Sequence, residues 1–282
     1  PSLCASSHTT AKGVRSTKSG DFTLFSAIAD MGLGLAKWRT SWTLGFRDIE
    51  LRYKRSLLGP FWISAALVAT ILALAFVFSG VFRTNFSSYI AYIGAGLLTW
   101  QFIQSLVNEA CTSVTEHTTL LQNVRMPMTT LAGRVVVRNS IVFAHHIVAV
   151  VGLLFLFGVQ FTPVIVWALP GAGLILLMGY FLVMTLGPIC ARFRDVPLII
   201  SSIMQVLFFL TPIFWMPAES SHHPGFILAN PFHHLIQLVR APILGEMATP
   251  LNWTFSLWAC GLVAVLAMLS ASLTHKRLAL WL

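Results

Sequence analysis

Long uncharged stretches separated by short charged patches dominate this sequence. No Asp, Glu, Lys or Arg occurs between Arg55 and Arg83, or between Arg83 and Glu109. Residues 139–191 are also uncharged, and the turn-like segment 158–163 divides this stretch, which is too long for one helix. A membrane-spanning helix needs ~20 mainly apolar residues to cross a hydrocarbon core of ~30 Å. The pattern predicts six such spans, at residues 60–82, 89–107, 134–157, 164–190, 198–216 and 253–274.

The composition is typical of a chain whose solvent is the lipid bilayer. Of its 282 residues, 56% are hydrophobic and 10% are charged, and the mean hydropathy is +0.79. Soluble domains usually carry about 25% charged residues. Lipid offers no partners to backbone N–H and C=O groups, so the spans must be helical. We therefore expect an all-α membrane protein whose transmembrane domain covers residues 41–282, after a flexible cytoplasmic tail over residues 1–40.

The positive charges predict the orientation of the chain. The formal net charge is +9, but the basic residues lie in short patches between apolar stretches, so we expect no nucleic-acid partner. With six spans, sixteen of the eighteen Lys and Arg residues fall on one side, and only Arg83 and Arg240 fall on the other. Loops rich in Lys and Arg stay in the cytoplasm. We expect a multi-pass protein of the cytoplasmic (inner) membrane with both termini in the cytoplasm.

Two segments differ from both the spans and ordinary loops. In residues 41–57 the apolar side chains recur at helical spacing on one face, which predicts an amphipathic helix in the cytoplasmic interface. That face consists of Trp42, Phe46, Ile49, Tyr53 and Leu57. The external connection 217–252 contains a strongly apolar stretch at residues 232–244, which predicts a short helix or a re-entrant pair at the outer interface.

Four blocks of the sequence resemble one family of membrane proteins. They lie at residues 46–62, 106–128, 191–215 and 230–245. In this order they resemble four regions of the ABC-2 permeases that export O-antigen, teichoic acid and related polysaccharides. Those regions are the approach to the first span, the first cytoplasmic loop, the link between spans four and five, and the last external segment. The resemblance implies a homodimer with two copies of a separate cytoplasmic ABC ATPase, and a polyprenyl-linked polysaccharide as cargo.

An ATP-driven function requires that partner. The dipeptide Gly-Lys does not occur in the chain, so the chain cannot form the phosphate-binding loop G-x-x-x-x-G-K-[ST]. We therefore expect no catalytic residue and no cofactor in this chain, which is a permease subunit and not an enzyme. ATP and Mg²⁺ are expected on the partner ATPase.

The loop at residues 109–128 is the candidate contact with the ATPase. The family resemblance implies a coupling helix here. Its short apolar edge is suited to docking, whereas the alternative is an ordinary amphipathic loop helix. The candidate coupling residues are Glu116, His117, Leu120, Leu121, Val124 and Arg125.

Basic residues of the amphipathic helix are candidates for substrate binding. Arginine suits phosphate through its forked donors, so these residues can meet the phosphates of a lipid-pyrophosphate that approaches from the inner leaflet. Anionic lipid headgroups attract the same charges, and the alternative is a membrane anchor alone. The candidates are the cations Arg47, Arg52, Lys54 and Arg55, together with the neighbouring Tyr53.

A charged motif, Arg192, Arg194 and Asp195, separates the predicted fourth and fifth spans. A topology signal with a local ion pair is the favoured interpretation. A role in coupling rests on the family resemblance alone.

Aromatic residues are candidates for the translocation path, because the C–H faces of sugars stack on aromatic rings. The candidates are Trp100, Phe102, Phe208, Phe209, Phe214 and Trp215. The alternative for any one of them is helix packing or a position at the membrane interface.

The histidine pairs do not have the pattern of a metal site. His222–His223 and His233–His234 lack the spacing of a helical zinc site, and no HExxH motif occurs. His145–His146 lies inside the predicted third span, where a neutral, hydrogen-bonded interhelical pair is favoured over a proton relay. We expect no metal.

Three other functions stay open on the sequence. One is an ABC-2 exporter of a drug or a lipid. Another is an intramembrane glycosyl- or acyltransferase, which needs a carboxylate or histidine at a membrane cavity. All nine acidic residues lie outside the predicted spans, which counts against a carboxylate-based site. The third, an ion channel, needs no ATPase.

Overall fold

The computed structural model describes residues 38–54, 61–118, 127–217 and 224–274, and these ranges contain helices and turns but no β-strand. The expected flexible tail lies outside them except for its last three residues, which already belong to the first helix. In chain order the helices are α1 (Trp38–Tyr53), α2 (Phe61–Phe82), α3 (Phe86–Thr112), α4 (Met128–Leu156), α5 (Ala168–Arg192), α6 (Val196–Leu210), α7 (Pro224–Ala229), α8 (Pro231–Ile243) and α9 (Pro250–Thr274). Single 3₁₀ turns follow α3 at Thr115–His117 and precede α5 at Pro163–Trp167.

Five of the helices in the described ranges are long and apolar enough to cross a membrane. They are α2, α3, α4, α9, and α5 together with its preceding 3₁₀ turn. The expected all-α membrane fold is confirmed.

The helix at the predicted fifth span is shorter than expected. The span was predicted at residues 198–216, whereas α6 ends at Leu210. Thr211 has extended backbone angles, φ −93° and ψ 137°, because the following Pro212 disfavours a helical residue before it. With 15 residues α6 is about 22 Å long, less than the hydrocarbon core of ~30 Å. The count of six spans therefore stays a prediction.

Helices α3 and α4 extend further into the predicted cytoplasmic loop than the hydropathy pattern indicated. The span predicted to end at residue 107 continues to Thr112, and the one predicted to begin at residue 134 begins at Met128, directly after Pro127. Glu109, expected outside the apolar helices, therefore lies inside α3. Charged residues are accommodated there because they pair with one another, as described below.

Helix α3 forms the centre of the bundle. It packs against α2, α4, α5, α6 and α8. In its most apolar window 78% of residues are buried, compared with 17% in α2 and 22% in α9, whose exposed apolar side chains are suited to lipid. The core therefore lies around α3, with α2 and α9 at the periphery.

Helix α8 is buried inside the bundle although the sequence places it in an external connection. Its residues from His233 to Ile243 are buried with the exception of half-buried Gln237, and the helix packs against α3, α5 and α9. Asn230 caps its N-terminus by accepting a hydrogen bond from the Phe232 N–H at 3.0 Å. The predicted apolar segment is thus a helix, preceded by the short α7, and its re-entrant character stays a prediction.

Candidate functional site

Helix α1 is held against α4 through small residues. A Cβ on Gly45 would lie 2.9 Å from the Arg134 carbonyl oxygen, and one on Gly133 would lie 2.6 Å from Ser41 Oγ. The two helices therefore approach more closely than larger residues would allow. Ser41 Oγ also donates to the Thr130 carbonyl at 3.2 Å, so backbone and side chain both fix this contact.

An ion pair closes the α1–α4 contact. The Asp48 carboxylate accepts two hydrogen bonds from Arg134, through Nε and Nη2. Arg138, one turn further along α4, has its Nη1 4.0 Å from Asp48 Oδ2. The side chains of all three residues are between 10% and 13% exposed, so the ion pair lies largely out of water. A forked arginine–carboxylate pair fixes orientation as well as distance.

The same arginines extend this contact to α3. Arg138 Nη2 lies 2.7 Å from Glu109 Oε2, and the Asn139 side-chain amide donates to the same oxygen at 2.5 Å. Ser105 Oγ donates to Asn139 Oδ1 at 2.6 Å. We call the residues Asp48, Ser105, Glu109, Arg134, Arg138 and Asn139 the polar network. It joins α1, α3 and α4 directly beside the loop predicted to contact the ATPase.

Sequence reasoning missed the polar network. Arg134 and Arg138 were counted only as topology signals at the cytoplasmic start of the predicted third span, and Glu109 and Asp48 received no role. The available signal was the spacing of the two arginines, because residues at i and i+4 share one face of a helix.

The apolar face predicted for the amphipathic helix divides in the structure. Ile49 is buried on the side facing α4, whereas Trp42 and Phe46 are 50% and 54% exposed. The reason is that the small residues Ser41 and Gly45 allow the closer contact with protein, which leaves the large aromatic rings outside. The exposed rings are suited to a membrane interface. Leu57 lies outside the described residues.

The candidate cations of α1 do not converge on one point. Arg47, Arg52 and Lys54 are exposed. Arg47 and Lys54, seven residues apart, share one face, whereas Arg52 projects from a face about 140° away at 100° per residue. Burial raises the pKa of the half-buried Tyr53 phenol above its ordinary value. Arg55 lies outside the described residues. One phosphate group cannot contact all of these side chains together.

Before its undescribed residues 119–126, the predicted coupling loop consists of the end of α3 and the Thr115–His117 turn, which contacts α5. Glu116 is exposed, whereas His117 is half-buried and its Nδ1 donates to the Ser113 carbonyl at 2.9 Å. Burial lowers the pKa of the His117 imidazole. A Cβ on Gly187 of α5 would lie 2.9 Å from Ser113 Oγ, so turn and helix end are in close contact. The other candidates, Leu120, Leu121, Val124 and Arg125, lie outside the described residues.

The motif between α5 and α6 is exposed. Arg192, Arg194 and Asp195 all have exposed side chains, and the Arg192 guanidinium lies 5.2 Å from the centre of the Phe193 ring. Asp195 precedes α6 as its N-terminal flanking residue without a side-chain capping bond. The structure thus presents two cations at the same end of the bundle as the Thr115–His117 turn.

Most of the candidate path aromatics come together. Phe208 lies 5.7 Å from both Trp100 and Phe214, and Phe209 lies 6.0 Å from Phe214, all measured between ring centres. Phe78 and Phe232 complete this aromatic cluster, which we define as Phe78, Trp100, Phe208, Phe209, Phe214 and Phe232. Trp215 Nε1 donates to the Phe209 carbonyl at 3.1 Å.

Exposure separates the candidates that can reach a substrate in this conformation from those that cannot. Phe209 is 58% exposed, and Phe208, Phe214 and Trp215 are half-buried. Trp100 is 2% exposed and packs inside the cluster. Phe102 is not part of the cluster, because it is buried against Phe143 at 3.9 Å between ring centres.

An apolar cavity of about 1020 Å³ adjoins the aromatic cluster between α5, α6, α8 and α9. Its walls include Leu207, Phe232 and Trp258. The one hydroxyl-bearing residue of the lining, Thr254, already donates to the Leu251 carbonyl at 3.0 Å. The lining therefore suits hydrocarbon and offers few groups that could bind sugar or phosphate.

Four of the described histidines, His117, His145, His146 and His234, form hydrogen bonds, whereas Nδ1 of the buried His233 has no partner. His146 Nδ1 lies 2.9 Å from Ser64 Oγ of α2, which is the interhelical bond favoured by the sequence, and His145 Nδ1 donates to the Ile141 carbonyl at 2.7 Å. His234 contacts Asn252 Oδ1 through Nδ1 at 2.8 Å. Within the described ranges no three His, Cys, Asp or Glu residues are grouped as metal ligands. His222–His223 lies outside these ranges.

Two comparisons with known proteins agree with the resemblance read from the sequence. The profile of the family described as ABC-2 type transporter matches residues 40–244. The O-antigen export system permease protein RfbA of Myxococcus xanthus is 27% identical over 177 residues, which are 60% of this chain and 65% of the relative. A permease of the same name from Klebsiella pneumoniae is 24% identical over 172 residues, or 60% of this chain and 66% of the relative. The matched segment thus spans slightly less than two thirds of each relative.

Proposed function

Since the chain belongs to the ABC-2 type transporter family, we propose that it is the transmembrane subunit of an ATP-driven exporter of a lipid-linked polysaccharide. The family match over residues 40–244 carries this proposal. The names of the two relatives, both O-antigen export permeases, favour a cell-surface glycan over a drug or a simple lipid.

The proposed assembly is a homodimer of this chain with two copies of a cytoplasmic ABC ATPase that binds ATP and Mg²⁺. The sequence contains no G-x-x-x-x-G-K-[ST] motif, which supports an ATPase on a separate subunit. The Thr115–His117 turn is the proposed docking point. Its exposed Glu116 and its contact with α5 support that role, since a docked surface must be accessible and mechanically joined to the bundle.

The polar network is the proposed mechanical link from that turn to the membrane helices. Glu109 lies six residues before Thr115, and Arg134 and Arg138 lie in the first three turns of α4. A displacement of the loop therefore acts on α1, α3 and α4 together, because buried ion pairs resist separation. No bond of the cargo is made or broken in this scheme.

The aromatic cluster and Trp215 form the proposed wall of the glycan path. Phe209 and Trp215 present ring surface that sugar C–H groups can stack on, without the charged groups that would hold a long polymer in place. We place this cluster towards the outer side of the cytoplasmic membrane, with both termini of the chain in the cytoplasm, from the distribution of Lys and Arg.

Coexpression with an ABC ATPase from the same genome tests the proposal. We expect the two proteins to copurify from detergent, and the combined changes Glu116→Ala, Leu120→Ala and Leu121→Ala to lower glycan-stimulated ATP turnover about tenfold, the loss expected when one docking contact of ~1.4 kcal/mol is removed. The changes Glu246→Ala and Met247→Ala remove an exposed carboxylate and an exposed apolar side chain from another loop, and turnover should then stay unchanged. Failure to copurify with any ABC ATPase would contradict the proposal and favour a channel or an intramembrane enzyme.

A further inference from the structure

A cation is buried at the centre of the bundle. Arg240 of α8 is 1% exposed and is among the largest fully buried side chains. Removing a charge from water costs several kcal/mol unless compensating contacts are formed. All ion pairs between described residues belong to the polar network. Their carboxylates, Asp48 and Glu109, pair with arginines of α4, and none of these ion pairs includes Arg240. An ionisable group at such a position usually has a function.

Arg240 contacts a backbone carbonyl and an aromatic face, and its Nε also donates a long hydrogen bond to Gln237 Oε1 at 3.5 Å. Nη1 donates to the Pro212 carbonyl at 2.7 Å, and the guanidinium lies over the Tyr92 ring at 4.3 Å from its centre. Gly96 provides the space, since a Cβ there would lie 3.6 Å from Nη1 and 3.1 Å from the Ile213 carbonyl oxygen. A guanidinium can stack on a ring and donate within its plane at the same time, which an ammonium cannot.

Further side chains bind the same non-helical segment, residues 211–215. The Tyr92 hydroxyl lies 3.2 Å from the carbonyl oxygens of both Pro212 and Trp215, and the Tyr89 hydroxyl donates to the Phe214 carbonyl. Asn230 Nδ2 donates to Thr211 Oγ1 at 2.9 Å. Side chains of α3 and α8 thus donate to the Pro212, Phe214 and Trp215 carbonyls, which have no helical partner, and the α8 cap holds the Thr211 side chain. Non-helical backbone among membrane helices requires such partners.

We propose that Arg240 is a positioning residue that fixes the 211–215 segment so that Phe214 and Trp215 hold their places at the aromatic cluster. Phe214 contacts three rings of the cluster, and Trp215 reaches back to the Phe209 carbonyl. Arg240 acts through the Pro212 carbonyl and does not touch the cargo, because it is buried. Its effect on glycan export rests on the proposed function, whereas its effect on the segment does not.

Thiol labelling measures the effect on the segment without any transport. A cysteine introduced by Met216→Cys sits next to the segment and leaves Trp215 in place. Its reaction rate with a maleimide in lipid nanodiscs should rise about tenfold when Arg240→Met removes the charge-assisted bond and the ring contact. Arg240→Lys should restore less than half of this effect, since Lys lacks the fork. The protein without the added cysteine gives the background rate.

Milder and matched variants keep the test decisive if Arg240→Met fails to fold. Tyr92→Phe removes the hydroxyl bonds to Pro212 and Trp215 but keeps the ring under Arg240, so labelling should rise about threefold. Tyr180→Phe removes a buried hydroxyl that has no hydrogen-bond partner, and Arg83→Met removes an exposed arginine, so both should label like the parent. Unchanged labelling in Arg240→Met and Tyr92→Phe, or full restoration by Arg240→Lys, would overturn the proposal.

Reconstitution with the ATPase tests the effect on export. Arg240→Met should keep the complex and its basal ATP turnover, while the concentration of extracted lipid-linked glycan that half-stimulates turnover rises about fivefold. If Arg240→Met is labelled faster but the glycan concentration that half-stimulates ATP turnover stays the same, Arg240 stabilises the fold only. That result would refute its role in the glycan path. If the parent chain binds no ATPase, the proposed function fails, and the labelling result still decides whether Arg240 fixes the segment.

Discussion

At the scale of single residues, the ion pair between Asp48 and Arg134 has the clearest consequence. Asp48→Asn keeps the shape of the side chain but leaves the Arg134 guanidinium without its carboxylate in a site that is about 11% exposed. We expect this to destabilise the α1–α4 contact by about 2 kcal/mol, because an unpaired buried charge keeps its desolvation cost. Thermal unfolding of the purified permease in detergent should show a midpoint several degrees lower.

The matched control is on the same helix. Glu50 is exposed, so Glu50→Gln should change the midpoint by less than one degree. In the double variant Asp48→Asn with Arg134→Gln the loss should be smaller than the sum of the single losses, since residues of one pair are coupled. Additive losses would mean that the two side chains do not act as a pair.

The sequence identified the residue types at these positions but not their neighbours. Arg134, Arg138 and Arg240 could be counted as charges near membrane boundaries, and that count predicted which side of the membrane each loop occupies. Their burial depends on Asp48, Glu109 and Tyr92, which are at least 29 residues away in the chain. Helical periodicity is a local signal, so it cannot show which distant helix provides the partner.

At the scale of helices, the close approach of α1 and α4 can be tested with one methyl group. Gly133→Ala places a Cβ 2.6 Å from Ser41 Oγ, where the helices must separate, and should destabilise the permease by about 1–3 kcal/mol. Gly152→Ala lies on the same helix α4 with no heavy atom within 4 Å of the new Cβ. It should stabilise by about 0.5–1 kcal/mol, because alanine is the better helix former.

Thermal unfolding can distinguish the two variants clearly, because Gly133→Ala should lower the unfolding midpoint and Gly152→Ala should raise it. If Gly133→Ala also stabilised the protein, α1 would not be packed on α4 as the structure has it. Limited proteolysis can show in addition whether α1 is released in Gly133→Ala before the rest of the chain unfolds.

The helices themselves could be predicted better than their ends and their surroundings. Apolar length predicted α2, α4, α5 and α9, because lipid-facing helices need little else. The end of α6 at Leu210 had a readable signal in Pro212, but its apolar run through residues 213–216 outweighed it. The burial of α8 could not be predicted, since an apolar segment of 13 residues fits an interface as well as a protein interior.

At the scale of the whole molecule, the open question is whether α6 together with the 211–215 segment crosses the bilayer. The helix contributes about 22 Å, so the 211–215 segment, which bends and turns back through a bond from the Ile213 N–H to the Thr211 carbonyl, must supply the remaining ~8 Å of the ~30 Å hydrocarbon core. That is ~1.6 Å per residue, about half the rise of extended backbone. The bonds from Arg240, Tyr92 and Tyr89 supply partners that lipid would not offer to the backbone carbonyls of Pro212, Phe214 and Trp215. A crossing is therefore physically possible without a full-length helix.

Labelling of single-cysteine variants with a membrane-impermeant maleimide in intact cells measures how many times the chain crosses the membrane. Cysteines replacing Gln160 and Glu246, two exposed loop residues, should react from outside, whereas one replacing Arg194 should react only after the cells are opened. Arg194 and Glu246 flank α6 and the α7–α8 pair, so opposite sides for these two residues require that this region crosses once. If Glu246 and Arg194 lay on the same side, the chain would cross the membrane five times, and its two termini would lie on opposite sides of the membrane. The segment fixed by Arg240 would then lie away from any path through the bilayer, and its aromatic residues would only pack the bundle.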